Sequence, residues 1–384
     1  MQKIILLTSV FILLFSCKEN KQSPDIGADK ASANETKNQV EINYAKGFTI
    51  NKYDGYKVIT LKEPWPDADI EFKYALIEEK GSLPEDATFD AVVEVPIKNI
   101  VVTSTTHIPS LEMLEETEAL VGFPNLSYIS SEETRKRIDK NEIKELGKNE
   151  SINTEVLIDL NPNLVVTFAV KGDNKTVSTI EKTGIPVFYN SDWTEKSPLG
   201  KAEWIKFFGA LFNKEQQADS IFKSIETDYL SVKEKAAQTK TSPTVLSGAM
   251  YKDVWYLPNG ESWGAQFIKD ANATYLWEDT KGTGSLSLNL ESVLEKAKYA
   301  DVWLGPGQFS EKEKLNDAHA VYSEFKAFQE GNVYSYTGKL GPTGGVIYFE
   351  LAPNRPDLVL KDVVKIVHPE VLPEHELYFF SKLK

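Results

Sequence analysis

The stretch "KEQQADSIFKSIETDYLSVKEKAAQ", Lys214 to Gln238, sets Ala218, Ile221, Phe222, Ile225, Tyr229 and Val232 along one helical stripe. Twenty-five residues of helix span roughly 37 Å, about the width of a small domain. Before it, "LGKAEWIKFFGALF" places Ile205, Phe208, Leu211 and Phe212 at helical spacing. On each side of this helical block the chain alternates strand and helix. Upstream, "NIVVTS", "LVGF", "NLVVTF" and "IPVFYN" read as buried strands, with "IPSLEMLEETE" and "NKTVSTIEKTG" as helices, the second ending on Gly184. Downstream, "TVLSGAMY", "VWYLPN", "ADVWLG" and "NVYSYT" read as strands, with "SWGAQFIKDAN" and "PDLVLKDVVKIVHP" as helices. Such alternation implies parallel sheets covered by helices. The fold class is therefore α/β: two lobes joined by one long helix, with a ligand site expected between them at the carboxyl ends of the strands.

The chain divides accordingly into an N-lobe at 98–197, a helical linker at 198–240 and a C-lobe at 241–384. Residues 44–97 form an antiparallel, β-rich extension: "GFTINKYDGYKVITLKEPW" alternates around Asp54-Gly55, a hairpin dipeptide, and "IEFKYALIEE" alternates again. At the N-terminus, Lys3 precedes the apolar run Ile4–Phe15, 12 residues long. That is too short to span a bilayer and has the length of a signal-peptide core. It stops at "LFSC", which resembles a bacterial lipobox, with the bulkier Phe15 where a smaller residue is customary. Residues 1–16 are thus a signal peptide, and Cys17, the only cysteine, is the lipidation site of a membrane-anchored lipoprotein facing the periplasm. A single cysteine rules out intramolecular disulfides and Cys-based metal sites. Residues 17–43 are polar and read as a flexible tether. A net charge of −14 excludes nucleic acid and an anionic bilayer surface as face-on partners.

One motif occurs twice. "NTEVLIDLNPNLVV" and "NLESVLEKAKYADVWL" each open on Asn-x-Glu, continue as a short helix and close on a strand. Asn153 and Asn289 read as N-caps, and Glu155 and Glu291 fall in the first helical turn, where a carboxylate complements the helix dipole by about 0.3–1 kcal/mol. Dipole complementarity explains either copy alone but not the same residue at the same offset in both lobes.

Two Rossmann-like lobes joined by one long helix resemble the helical-backbone periplasmic binding proteins, which deliver iron–siderophore complexes, haem, cobalamin or metal ions to ABC importers. "NTEVLIDLNPNLVV" is similar to a pattern of that family, with Asn163 replacing the usual Asp. "TSTTHIPSLEML", "SDWTEKSPLGKAEWIKFFGALF" and "NRPDLVLKDVVKIVHPEVLPEHELYFF" resemble an iron-complex and cobalamin subgroup. The resemblance covers Gly47 to the C-terminus. It implies a monomeric binding protein, not an enzyme, with no cofactor and no directly bound metal. Its ligand would be a metal chelate (an iron–siderophore complex or haem, alternatively cobalamin), and its partner an ABC importer permease dimer. It also implies that Glu155 and Glu291 dock the two lobes on arginines of the two permease subunits.

A flat chelate is held by aromatic faces and a few polar or cationic groups. In the N-lobe the candidates follow strands: Thr105, Thr106 and His107 after "IVVTS", Tyr128 after "LVGF", Phe168 and Lys171 at the end of "NLVVTF", and Trp193 before the linker. In the C-lobe they are Trp255, Trp263 after its Pro-Asn-Gly turn, and Arg355 as the cation. Bare zinc or manganese would need several His or carboxylate ligands from both lobes, and only His107 of the four histidines is well placed. No nucleophile elbow, P-loop or HExxH occurs. A surface glycan binder, the remaining class, would not require two parallel-sheet lobes.

Overall fold

The computed structural model describes residues 38–172 and 174–384. The expected signal peptide, Cys17 and the expected tether up to residue 37 lie outside the described residues. The N-lobe sheet runs in the order Val187–Tyr189, Leu164–Thr167, Ile100–Val102, Leu120–Phe123, Lys144–Glu145, and every pairing is parallel. Its three central strands are nearly continuous apolar runs because helices cover both faces. The C-lobe sheet runs Thr274–Tyr275, Thr244–Ser247, Val302–Leu304, Val333–Ser335, Ser381–Lys382, parallel except for the last strand. Between the lobes, Ile205–Leu211 is buried all round, and the long helix Glu215–Ala237 has 23 residues, roughly 34 Å. The long helix packs against Ile205–Leu211 and the C-terminal helix Pro356–Val367.

Three boundaries differ from the sequence reading. The tether ends earlier, because Asn38–Gln39 already pairs with Phe48–Lys52. The extension is mixed rather than purely antiparallel: the predicted hairpin strands Phe48–Lys52 and Tyr56–Lys62 pair as expected, but Ala91–Glu94 adds in parallel to Glu71–Ile77. Finally, "TVLSGAMY" is two strands. Gly248 at φ +77° breaks it, and a Cβ there would lie 1.9 Å from the Tyr256 carbonyl oxygen. The chain therefore leaves the parallel sheet and enters a small antiparallel sheet of Ala249–Tyr251, Val254–Pro258 and Ser285–Leu288.

Buried carboxylates hold the extension to the lobes. Glu203, fully buried, accepts the backbone N–H groups of Asn43, Tyr44 and Ala45 at 2.7–3.1 Å and pairs with Lys206 at 3.0 Å. Glu195 accepts those of Lys46 and Gly47. Buried Lys57 reaches Glu215, the first residue of the long helix, at 2.8 Å. The C-terminal signature is equally structural. Asp362 accepts the N–H groups of Tyr378, Phe379 and Phe380 and a bond from His375 at 2.7 Å, fixing the chain terminus on the C-terminal helix. Asn163 accepts the N–H groups of Lys98 and Asn99 at 2.9 Å, a role its amide oxygen fills as an Asp carboxylate would.

Candidate functional site

The carboxyl ends of the N-lobe strands open into a groove whose far wall belongs to the C-lobe. Its innermost cavity, of about 410 Å³, is lined by Ser104, Thr106, Phe168, Val170, Asp192, Trp193 and Lys201 on one side and by Trp263, Phe349 and Pro353 on the other. A second part, about 610 Å³, continues past Phe168 and Phe349 to Tyr128, Ser130 and the C-lobe turn Thr343-Gly344-Gly345. A third, about 510 Å³, runs from Phe168 and Val170 to Asn149, Lys171 and Lys175. Phe168 borders all three. A separate cavity of about 480 Å³ lies at the amino ends of the C-lobe strands, lined by Thr241–Pro243, Asp301 and Asn332, and receives nothing from the N-lobe.

Local structure explains the wall residues. Trp263 begins a helix capped by Ser262, whose hydroxyl accepts the Ala265 N–H at 3.2 Å. Its ring lies 5.5 Å from Phe267 and 6.2 Å from Tyr348, which in turn packs on Tyr336 at 4.3 Å. Opposite it, Trp193 is 39% exposed on a short turn after the last N-lobe strand. Lys201 rises from the first linker helix and donates to the carbonyls of Asp192 and Trp193 at 2.9 and 3.0 Å, with its Nζ 5.4 Å from the Trp263 ring centroid. Burial holds the Lys201 ammonium below the usual lysine range, against the pull of Asp192 and Glu195. Asp192 accepts the Thr106 hydroxyl at 3.2 Å.

The lobes are pinned together beside this groove. Asn354 accepts from the Ser110 hydroxyl at 2.9 Å and donates to the Thr106 carbonyl at 2.8 Å. Glu350 accepts the N–H groups of Ser130 and Ser131 at 2.7 and 2.9 Å. Burial raises the Glu350 carboxyl to about 7, with nearby Glu112 adding to the rise and the two N–H bonds opposing it. Glu112, which accepts the hydroxyls of Ser131 and Thr134, is itself raised by burial.

Of the sequence-predicted residues, Thr105, Thr106, Tyr128, Phe168, Lys171, Trp193 and Trp263 line the groove. Three do not. His107 is core: it is 1% exposed, packs on Phe208 at 5.6 Å, and neither ring nitrogen has a partner among the described residues. Burial lowers its pKa. Trp255 is also core, since alternation along Val254–Pro258 turns it inward onto Trp303 at 5.5 Å, and its indole N–H goes to the Ser247 carbonyl. Arg355 is held by a two-pronged pair with buried Asp357 at 2.7 and 2.9 Å, so its charge stays at the start of the C-terminal helix. Sequence reasoning missed Lys201, Asp192, Phe349 and the Thr343–Gly345 turn. Phe349, 51% exposed in "GVIYFEL", left the one legible trace, a large apolar side chain on a short helix.

Glu155 and Glu291 are both exposed, and neither carboxylate has a partner among the described residues. Asn153 and Asn289 do cap the two helices, accepting N–H groups at 2.8–3.2 Å. Each helix leads back into a parallel strand, Leu164–Thr167 or Val302–Leu304, so each N-terminus lies at the carboxyl end of its own sheet.

The sequence pattern of the periplasmic binding protein family matches residues 100–340. The chain belongs to that family. This binding protein is 28% identical over 300 residues to the uncharacterized lipoprotein MJ0878 of Methanocaldococcus jannaschii, covering 76% of this chain and 70% of the relative. It is 23% identical over 403 residues to the uncharacterized lipoprotein MJ0872 of the same organism, covering 99% of this chain and 98% of that one. Its fold is similar to that of a periplasmic haem-binding protein from Pseudomonas aeruginosa, with a TM-score of 0.57 at 14% identity over 75% of this chain and 98% of that one. A periplasmic vitamin B12 binding protein of Vibrio cholerae gives a TM-score of 0.52 at 12% identity, over 73% and 99% of the two chains. The binding protein is therefore of the solute-binding, ABC-importer type, and its strand-rich extension at 38–97 lies before the matched region. Among the described residues no helix is long and apolar enough to cross a membrane, and no three His, Cys, Asp or Glu side chains are grouped to hold a metal ion.

The Glu350 contact carries a pH signature. A carboxyl whose folded pKa is raised binds its proton more tightly in the folded state. Its contribution to stability is greatest at low pH and is lost as pH rises from 4.5 to about 7. Urea unfolding of wild type and Glu350→Gln across this window will show the wild type losing ground to the variant as pH rises, then a constant difference above about pH 7. A constant difference throughout contradicts the assignment.

Proposed function

We propose that the groove captures a metal chelate and that the binding protein delivers it to an ABC importer. The chelate is an iron–siderophore complex or haem, with cobalamin as the alternative. The observation that carries this reading is the paired aromatic wall. Phe168 and Trp193 from the N-lobe face Trp263 and Phe349 from the C-lobe around one cavity. Aromatic rings with a few hydroxyls and an ammonium suit the outer surface of a complex that brings its own donor atoms to the metal. The neighbours described as haem-binding and vitamin B12 binding share the fold, which supports the ligand class without choosing within it. A lipid on Cys17 would keep the monomeric body at the membrane, periplasm-facing. The lipoprotein names of the relatives agree with such an anchor.

Tryptophan fluorescence will be quenched on titration with an iron–siderophore complex, haem or cobalamin. Trp263→Ala will weaken binding by about 0.5–1.5 kcal/mol with the fold intact. Trp255→Ala will instead cost about 3–5 kcal/mol of stability, because it empties a core position. If none of these ligands shifts fluorescence or melting temperature while sugars or peptides do, the chelate reading fails.

Glu155 and Glu291 serve as the docking points for the two permease subunits in this reading. They are exposed, unpaired among the described residues and equivalently placed on the two lobes, so their charges are available to meet arginines. Removing one partner of a desolvated interfacial charge pair costs about 2–5 kcal/mol. Uptake will fall sharply for Glu155→Arg and for Glu291→Arg while ligand affinity and melting temperature hold. Wild-type uptake by both variants would reduce the two glutamates to ordinary first-turn helix residues.

A further inference from the structure

Lys201 is a buried cation in the cleft wall, drawn by the carboxylates of Asp192 and Glu195 but in direct ion-pair contact with neither. It is 7% exposed, and it forms no ion pair among the described residues. Two of its three donors are spent on the Asp192 and Trp193 carbonyls. Asp192, the carboxylate of the same cavity, is bonded to the Thr106 hydroxyl on the N-lobe wall. An ammonium removed from water without a direct ion pair is costly, and the cost falls when a negative group completes its shell. The neighbouring part of the groove adds Lys171 and Lys175, both lining it beside Phe168 and Val170. In a chain of net charge −14 the groove thus gathers three lysines, set among the carboxylates Asp192, Glu150 and Glu350, and of the three Lys201 is the one beside the Trp263 ring.

Resting on the chelate reading above, we propose that Lys201 is the specificity-determining residue of the cleft and selects chelates that present an anionic oxygen, carboxylate or catecholate, beside the Trp263 ring. The remaining N–H of Lys201 donates to that oxygen, and Trp263 covers the adjoining apolar surface. The alternative role, a staple that merely holds the turn at 192–193, predicts no dependence on ligand charge.

The test uses the full folded chain and three probes: iron(III) tris-catecholate, iron(III) citrate and a cationic iron(III) trishydroxamate, each titrated by tryptophan quenching. The first two separate catecholate from carboxylate as the source of the anionic oxygen. Wild type will bind at least one anionic complex about tenfold or more tighter than the trishydroxamate. Lys201→Gln keeps donors for the two carbonyls but loses the charge. It will weaken that anionic complex by about 10- to 100-fold, the range of a lost charge-assisted hydrogen bond, and leave the trishydroxamate nearly unchanged. Lys201→Arg will retain most of the anionic affinity. Equal weakening of all three probes by Lys201→Gln, or a wild-type preference for the trishydroxamate, overturns the inference while the chelate reading stands. Failure of wild type to bind any of the three overturns this inference and the iron–siderophore form of the chelate reading together, and leaves haem and cobalamin to the titrations above.

Discussion

The cleft depends on a buried amide. Asn354 of the C-lobe bonds at once to the Ser110 hydroxyl and the Thr106 carbonyl of the N-lobe, in a place closed to water. Buried polar groups tolerate few alternatives, since any displacement leaves them unpaired. Glu350 adds a second tie to Ser130 and Ser131, and Gly345 lies so close to Ser130 that a Cβ would stand 2.3 Å from its hydroxyl. With the long helix packed on both the buried linker and the C-terminal helix, these ties hold the two walls at a set spacing. A preorganised pocket gains affinity because little ordering remains to be done on binding.

On that frame the wall chemistry becomes specific. Trp263 cannot swing freely, because Phe267 and Tyr348 back it and Tyr336 backs Tyr348. Lys201 is fixed by two carbonyls and lies near the Trp263 ring, so ring and charge reach a ligand together. The extension joins this arrangement indirectly. Glu203 and Glu195 clamp residues 43–47 onto the same linker helix that carries Lys201, and Tyr74 stacks on Phe188 at 4.1 Å beneath the strand leading to Trp193. A segment outside the matched family region thus stiffens the floor of the cleft.

Periodicity made the lobes, the linker and most N-lobe groove residues legible, because a parallel sheet presents its loops after strands and those loops could be located. What stayed hidden depended on facing directions. His107 follows its strand as Thr105 and Thr106 do, yet the short turn there rotates it inward onto Phe208. Trp255 and Tyr256 are adjacent, and only the pairing of Trp255 with Leu288 decides which faces the core. Arg355 drew attention as a cation at a helix start, but Asp357 two residues on neutralises it. Lys201 was invisible for the opposite reason. It sits within an apolar helical stretch and looks like a snorkelling surface lysine until the turn at 192–193 is seen to cover it.

Hydrogen exchange in the presence and absence of iron(III) tris-catecholate tests the central claim, that one ligand is held by both lobes. Slowed exchange is expected together in segments 104–106, 168–171 and 192–193 of the N-lobe and 263–266 and 343–350 of the C-lobe. Protection confined to a single lobe, or centred on residues 241–244 and 332–334 at the opposite end of the C-lobe sheet, would contradict it.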